Sequence, residues 1–223
     1  MYVPPYFVQH DPWILQSFVR ANSFAALVSA GDDGAPVASH LPLLLDDERG
    51  AQGTLVGHLA RANPQWQNFD GQHVLAVFSG PHAYISPTWY AEPNAADGTQ
   101  HVVPTWNYTA VHVYGVCRIE HDINATLAIL ERYVEFYEAN QPAPWKFAGD
   151  TAFARRLAEQ VVGFHIEITR WEGKWKLGQN HPPERRARTA AALAAQDDRD
   201  SQAIAALMRE SLDASNGTGP LTH

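Results

Sequence analysis

The run Phe24-Ala25-Ala26-Leu27-Val28-Ser29-Ala30 stops at Gly31-Asp32-Asp33-Gly34, and a second apolar run, Leu41-Pro42-Leu43-Leu44-Leu45, stops at the turn-rich residues from Asp46 to Gly53. Glycine supplies the backbone conformations that tight turns need. Aspartate side chains bond their own turn amides, so each cluster reads as a break between strands. The alternation continues to Phe78. Residues 24–78 are therefore expected to form a meander of antiparallel strands.

Outward from this meander, Val111, Val113, Gly115, Cys117 and Ile119 alternate with polar or larger residues, as do Phe164, Ile166 and Ile168. A period of two places each set on one face of a strand, so both segments are expected in a barrel wall. Helical spacing appears elsewhere. Asp11-Pro12 reads as a cap and first helical position ahead of Ile14, Leu15, Phe18 and Val19, with the helix ending near Asn22. Leu127, Leu130, Tyr133, Val134 and Tyr137 predict a second helix, and Phe153, Leu157 and Val161 a third. The alanine-rich segment from Thr189 to Leu212 is helix-prone with a break at Asp197-Asp198, and residues 216–220 read as a loose tail.

Hydrophobic residues make up 45% of the 223 and charged residues 18%, a composition that can support a packed core. A net charge of -8 works against long-range attraction to nucleic acid. The one short basic cluster, Pro183-Glu184-Arg185-Arg186-Ala187-Arg188, reads as a solvated helix face. Cys117 is the single cysteine, so no intrachain disulfide forms. The first residues lack a signal-like basic and apolar run, and no apolar segment approaches the ~20 residues that span a bilayer, so a cytoplasmic location is expected.

No GxGxxG, GxxxxGK[ST], CxxC or GxSxG pattern occurs, and no local HExxH-like set suggests a metal. Three segments carry ligand-binding chemistry. In Gly57-His58-Leu59-Ala60-Arg61-Ala62-Asn63-Pro64-Gln65-Trp66, Arg61 can contact a phosphate beside a helix start, and the strand-to-helix connection is expected to leave backbone amides unpaired. The competing reading has Arg61 solvated and Asn63 acting only as a cap. Val103-Pro104-Thr105-Trp106-Asn107-Tyr108 sets aromatic faces beside an amide and a phenol, suited either to a planar ring or to an interface. Gly173-Lys174-Trp175-Lys176-Leu177-Gly178-Gln179-Asn180 could hold an anion, and taken alone reads as a solvated hairpin. No catalytic nucleophile or acid–base pair stands out.

Together with Ser39-His40-Leu41-Pro42 and Ser79-Gly80-Pro81-His82-Ala83-Tyr84-Ile85-Ser86-Pro87, these segments resemble the PaiB-type FMN-binding negative transcriptional regulators. The resemblance runs from Tyr2 to about Leu193. It implies a mainly β (α+β) fold: a six-stranded antiparallel FMN-binding split β-barrel with peripheral helices and a helical C-terminal segment. The implied division is a barrel domain over residues 1–182, a helical extension over 183–214 and a flexible tail over 215–223. It further implies a homodimer with FMN at the subunit interface. Arg61 and Asn63 would lie near the phosphate, with His58 as a neighbour, and Ser39, His40, Leu41 and Pro42 along the flavin ring. Trp106, Asn107 and Tyr108 would complete the ring pocket from the partner, and Lys176, Gln179 and Asn180 would close it.

The chain departs from the family pattern at Thr88, where serine is usual, and at Gly178, where a small polar residue is usual. It departs again at His165, where an acidic residue is common, and in the loop from Pro93 to His101, which lacks the usual lysines. A flavin-dependent oxidoreductase and a haem-binding or haem-degrading protein remain as alternatives. For haem, His40, His58, His82 and His112 are candidate axial ligands among 11 histidines.

Overall fold

The computed structural model describes residues 1–90 and 103–215. The chain runs through β1 (Val8–Gln9), α1 (Pro12–Ala21), β2 (Phe24–Ala30), β3 (Pro36–Pro42), β4 (Leu44–Asp46), β5 (Thr54–Ala60) and β6 (His73–Ile85). It continues through β7 (Thr105–Ile119), α2 (Ile123–Glu138), α3 (Ala152–Ala158), β8 (Val161–Lys176), α4 (Pro183–Ala194) and α5 (Arg199–Ser215). No helix among the described residues is long and apolar enough to cross a membrane. The residues of the Pro93–His101 loop and of the 216–220 tail lie outside the described ones.

Helix starts follow the chemistry expected of them. Asp11 accepts from the amides of Trp13 and Ile14 at the head of α1, whose Leu15 and Val19 are buried. Asp122 and Thr151 cap α2 and α3 in the same way. The break at residues 197–198 is also present, with Asp198 accepting from the amide of Ser201. Val161 does not continue α3 as expected. It opens β8 and pairs with Ala60, so a β-branched residue takes a ladder position.

Two compact units are interleaved along the chain: Met1–Gln9, Ser79–Ala110 and Gly173–His223 form one, and His10–Phe78 with Val111–Glu172 form the other. The sheet order is β3-β2-β6-β7-β8-β5-β4, with β1 pairing β8. Antiparallel ladders join β2 to β3 and β6, β5 to β4 and β8, and β1 to β8. Among the described residues the sheet thus has eight strands and no closing ladder, so the mainly antiparallel fold is as expected and the count of six strands is not.

In the unit His10–Phe78 with Val111–Glu172, closure comes from the chain itself. β3 and β4 stand at opposite ends of the sheet order, yet only Leu43 separates them in sequence. Two trans peptide steps span at most about 8 Å, so the sheet must curl until its two ends nearly meet. The Leu41–Leu45 run, read as one apolar stretch, is therefore cut at Leu43 into two strands.

Three contacts secure this join. The Leu43 amide donates to Ser23 O at 2.8 Å. Its side chain is fully buried, and a Cβ added at Gly57 would lie 2.8 Å from Leu43 Cδ2 and 2.5 Å from Phe164 Cζ, so only glycine fits at 57. From α2, the Tyr133 hydroxyl lies 2.6 Å from Pro42 O and 2.9 Å from Val56 O, sharing its proton between the end of β3 and β5. Burial pushes the Tyr133 phenol up, keeping it a donor. Around this join, Leu27, Leu55, Phe69, Phe78, Phe164 and Ile166 fill the interior.

Most of the expected wall positions hold: Val111, Val113, Gly115 and Cys117 are buried and Ile119 is half-buried, while Phe164, Ile166 and Ile168 are all buried. Burial pushes the Cys117 thiol up to about 12, so it stays protonated at neutral pH. In the other unit, Leu193 of α4 and Ile204 and Met208 of α5 pack with Ala83, Ile85 and Leu177 in a separate core.

Leu43→Ala is expected to cost about 2–5 kcal/mol and Tyr133→Phe about 0.5–1.5 kcal/mol of stability, read from urea midpoints at unchanged m-value. Equal midpoints for Leu43→Ala and wild type would remove the join from its central role. Burial is also the first cause pushing His58, His112 and His165 below the usual value of 6.5. As pH falls through 6.5, the unfolded chain takes up protons that the folded chain refuses, so stability present at pH 7.5 should decline toward pH 5. Denaturation midpoints across that range test the sign, and His58→Gln should flatten part of the decline.

Candidate functional site

The residues singled out in the sequence divide between the two units. Ser39, His40, Leu41, Pro42, His58, Arg61 and Asn63 belong to one, and Trp106, Asn107, Tyr108, Lys176, Gln179 and Asn180 to the other.

In the first group a polar network joins β3 to the segment after β5. Asn63 Nδ2 donates to Ser39 Oγ at 2.7 Å, and Ser39 Oγ donates to Gln65 Oε1 at 2.5 Å. The Gln65 amide nitrogen reaches Leu27 O, Ser29 Oγ and Val37 O at 3.2, 2.9 and 3.1 Å. Asn63 Oδ1 accepts from the Gln65 amide at 3.0 Å and so caps the short 3-10 turn Pro64–Asn68. Gln65 is buried with its side chain fully engaged, which fixes this turn against β2 and β3. Sequence reading passed over Gln65, and its only signal was its position inside the quoted motif.

Arg61 donates through Nε to Glu159 O at 2.7 Å and through Nη2 to Val161 O at 2.9 Å. A guanidinium has five N–H donors, so these two bonds orient the group without exhausting it. Three of the amides expected to be open at this connection are paired instead. Arg61 N donates to Gln160 O, Asn63 N to Ala60 O, and Gln65 N to Asn63 Oδ1. Any anion held here would depend on the Arg61 side chain, not on a cradle of backbone groups.

On β3, alternation sends Leu41 into the core, while His40 is exposed and stacks on Phe24 at 6.3 Å. Leu41 can therefore offer a ligand only its backbone. β3 has a ladder partner on one side only, which leaves an open strand edge. His58 packs edge-on against Tyr133 at 4.8 Å with Nδ1 unpartnered.

In the second group, Gly173–Lys176 ends β8, and a turn at Gly178, whose φ is +77°, leads to α4. The segment is a strand-to-helix passage, which corrects the hairpin reading. Gln179 closes this turn on itself, accepting from Leu177 N at 2.8 Å and donating to Trp175 O at 2.6 Å. Lys176 Nζ donates to Thr105 Oγ1 and Trp106 O, both at 2.5 Å, and burial lowers its pKa. The Trp106 ring faces outward beside His82 and Tyr84, and Tyr108 lies 5.1 Å from Lys174 Nζ.

Asn107, Lys176 and Asn180 line a cavity of about 280 Å³, whereas Trp106, Tyr108 and Gln179 do not. The cavity is also lined by His181, Arg185 and Arg186, which sequence reading assigned to no site. The solvated-face reading of residues 183–188 holds for Pro183, Glu184, Ala187 and Arg188 and is corrected at Arg185 and Arg186. Arg186 is only 5% exposed and donates to Ser211 Oγ at 2.8 Å, while Arg185 lies over the Tyr90 ring at 4.0 Å. A signal existed: Arg186, Thr189, Ala190 and Leu193 fall on one buried helical stripe.

Comparison with known proteins agrees with this architecture. Residues 1–170 match the family described as "Putative FMN-binding domain". The chain is 33% identical over 215 residues to Protease synthase and sporulation protein PAI 2 of Bacillus subtilis (strain 168), covering 95% of this chain and 98% of that protein. Among solved structures it is similar to the flavocytochrome Anf3 of Azotobacter vinelandii, with a TM-score of 0.58 and 13% identity over 79% of this chain and 73% of that one. The FAD and heme binding protein of Mycobacterium smegmatis gives a TM-score of 0.56 and 13% identity over 77% and 74%. At that identity the two structures show a common fold. The chain belongs to the PaiB-type family of FMN-binding split-barrel proteins.

Proposed function

We propose that the protein is a flavin-dependent regulator that holds FMN with the ring along β3, at Ser39–Pro42, and the phosphate at the segment containing Arg61 and Asn63. The observation that carries this reading is the Asn63–Ser39–Gln65 network, which ties the open strand edge to the turn beside Arg61. The residues suit the cofactor. An open edge offers backbone donors and acceptors to a heteroaromatic rim, and a guanidinium anchored on two carbonyls keeps donors for a phosphate. When bound, FMN supplies electron- or hydride-transfer capacity, and the protein contributes orientation and electrostatics.

Regulation is carried over from the PaiB-type family, and the buried, protonated thiol of Cys117 offers no nucleophile for covalent catalysis. The basic segment 183–188 does not support direct DNA contact, since its arginines turn toward Tyr90 and Ser211. A homodimer is part of the proposal. Trp13, Phe24 and Val37 are exposed at 75%, 66% and 38%, apolar surface that pairing of two copies would cover.

Purified protein is expected to bind FMN with one flavin per chain in an absorbance titration. Arg61→Ala should weaken that binding by about 1.5–3 kcal/mol. Unchanged affinity in the variant would reject Arg61 as the phosphate contact. Flavin reduction by an added substrate would transfer the protein to the oxidoreductases, and a Soret band on haem titration would favour the haem reading. Light scattering should give twice the 24.7 kDa chain mass, and a single-chain mass would reject the dimer.

A further inference from the structure

The cavity of about 280 Å³ in the unit Met1–Gln9, Ser79–Ala110 and Gly173–His223 shares no residue with the site at Ser39–Pro42, Arg61 and Asn63 proposed above, although the family resemblance assigned three of its walls, Asn107, Lys176 and Asn180, to the flavin pocket. We infer that it is a second binding site, for a small organic carboxylate with an apolar body, recognised by Arg186 and Arg185.

Its charge is one-sided. Lys176, Arg185 and Arg186 all line it, and among the described residues no aspartate or glutamate does. Arg186 is 5% exposed, and among the described residues its guanidinium hydrogen-bonds only to a neutral group, Ser211 Oγ. The Nε atoms of both Arg185 and Arg186 are buried without a hydrogen-bond partner. A guanidinium taken out of water and left without an anion is costly, and such a group normally pairs with a carboxylate or phosphate. The described residues of the cavity walls supply no such group, so the missing anion is assigned to a ligand. The local field agrees with this. Burial, then Arg185 and then Lys176, push His181 below its ordinary pKa, as expected for an imidazole facing uncompensated positive charge.

The remaining walls define the rest of the ligand. Ile85, Val103 and Met208 present apolar surface, and the Tyr90 ring presents a flat one. At about 280 Å³ the space lies just below the ~300–1,000 Å³ of pockets for drug-sized ligands, so the occupant is smaller than a dinucleotide or a mononucleotide flavin. An apolar body beside a guanidinium fork fits a compact aromatic or aliphatic carboxylate better than inorganic phosphate, which would leave the apolar walls uncovered. Arg186 stands in α4 and Met208 in α5, so a bound carboxylate would brace the two helices against each other. That is a suitable place for an effector to act.

The test uses the full chain, with and without FMN, titrated with benzoate, benzyl alcohol and inorganic phosphate by calorimetry. Benzoate is expected to bind saturably at one per chain, with benzyl alcohol and phosphate much weaker. Arg186→Gln and the more exposed Arg185→Gln are each expected to lower benzoate affinity roughly 10- to 100-fold while FMN uptake stays at the wild-type value. The urea midpoint of each variant separates lost binding from lost folding, and Arg185→Gln keeps the test open if Arg186→Gln does not fold. Equal binding of benzoate and benzyl alcohol, undiminished binding in a folded variant, or no saturable binding up to about 10 mM would overturn the proposal. Displacement of FMN by benzoate would overturn the separateness of the two sites. Failure of FMN to bind at all, with benzoate binding intact, would strike the flavin reading and leave this one standing.

Discussion

A single residue joins the two ends of the sheet, and much of its unit follows from that constraint. Because Leu43 must carry the chain from β3 to β4, the sheet between them has to curve, and curvature creates the interior that Phe69, Phe78 and Phe164 fill. Curvature also brings β3 close enough to β5 for one phenol, Tyr133, to reach both, and brings Gly57 so near Leu43 and Phe164 that no Cβ fits. Closing a sheet by a covalent step in place of a ladder leaves the outer edges of β3 and β4 without a ladder partner, and the β3 edge is the one that matters here. That edge is where the proposed flavin site lies, so the feature that shapes the barrel also exposes the backbone groups a ring could use.

Arginine serves two different ends here. Arg61 is exposed and fastened to two backbone carbonyls, which orients a cation at low desolvation cost. Arg186 is buried with one neutral partner, an arrangement that is unfavourable by itself. The first is a positioned surface charge, and the second is a cost that a ligand could relieve. Neither difference is visible in residue type, since both are arginines in polar-looking segments.

Much of the fold was legible because it rests on local rules. The Asp11 cap, the alternation at Val111–Cys117 and Phe164–Ile168, and the break at residues 197–198 depend on neighbours in sequence, and all appear where expected. The misreadings share a different origin. Leu41–Leu45 was read as one run because nothing local marks Leu43 as a crossing point between opposite ends of a sheet. The Arg61 amide looked open because its partner, Gln160 O, is distant in sequence, whereas the Asn63 and Gln65 amides are paired by the neighbouring Ala60 O and Asn63 Oδ1. Arg186 looked solvated like its neighbours in residues 183–188 because charge outweighed the helical stripe of Arg186, Thr189, Ala190 and Leu193.

By itself, then, the sequence determined which segments are strands and helices, the PaiB-type family and its flavin, since these follow from short-range pattern and motif. Tertiary structure decided the number of strands and how the sheet ends, which motif residues touch one another, and which arginine is buried without an anion. The physical reason is that pairing, burial and desolvation depend on residues far apart in the chain, and a local pattern carries no record of which of them will meet.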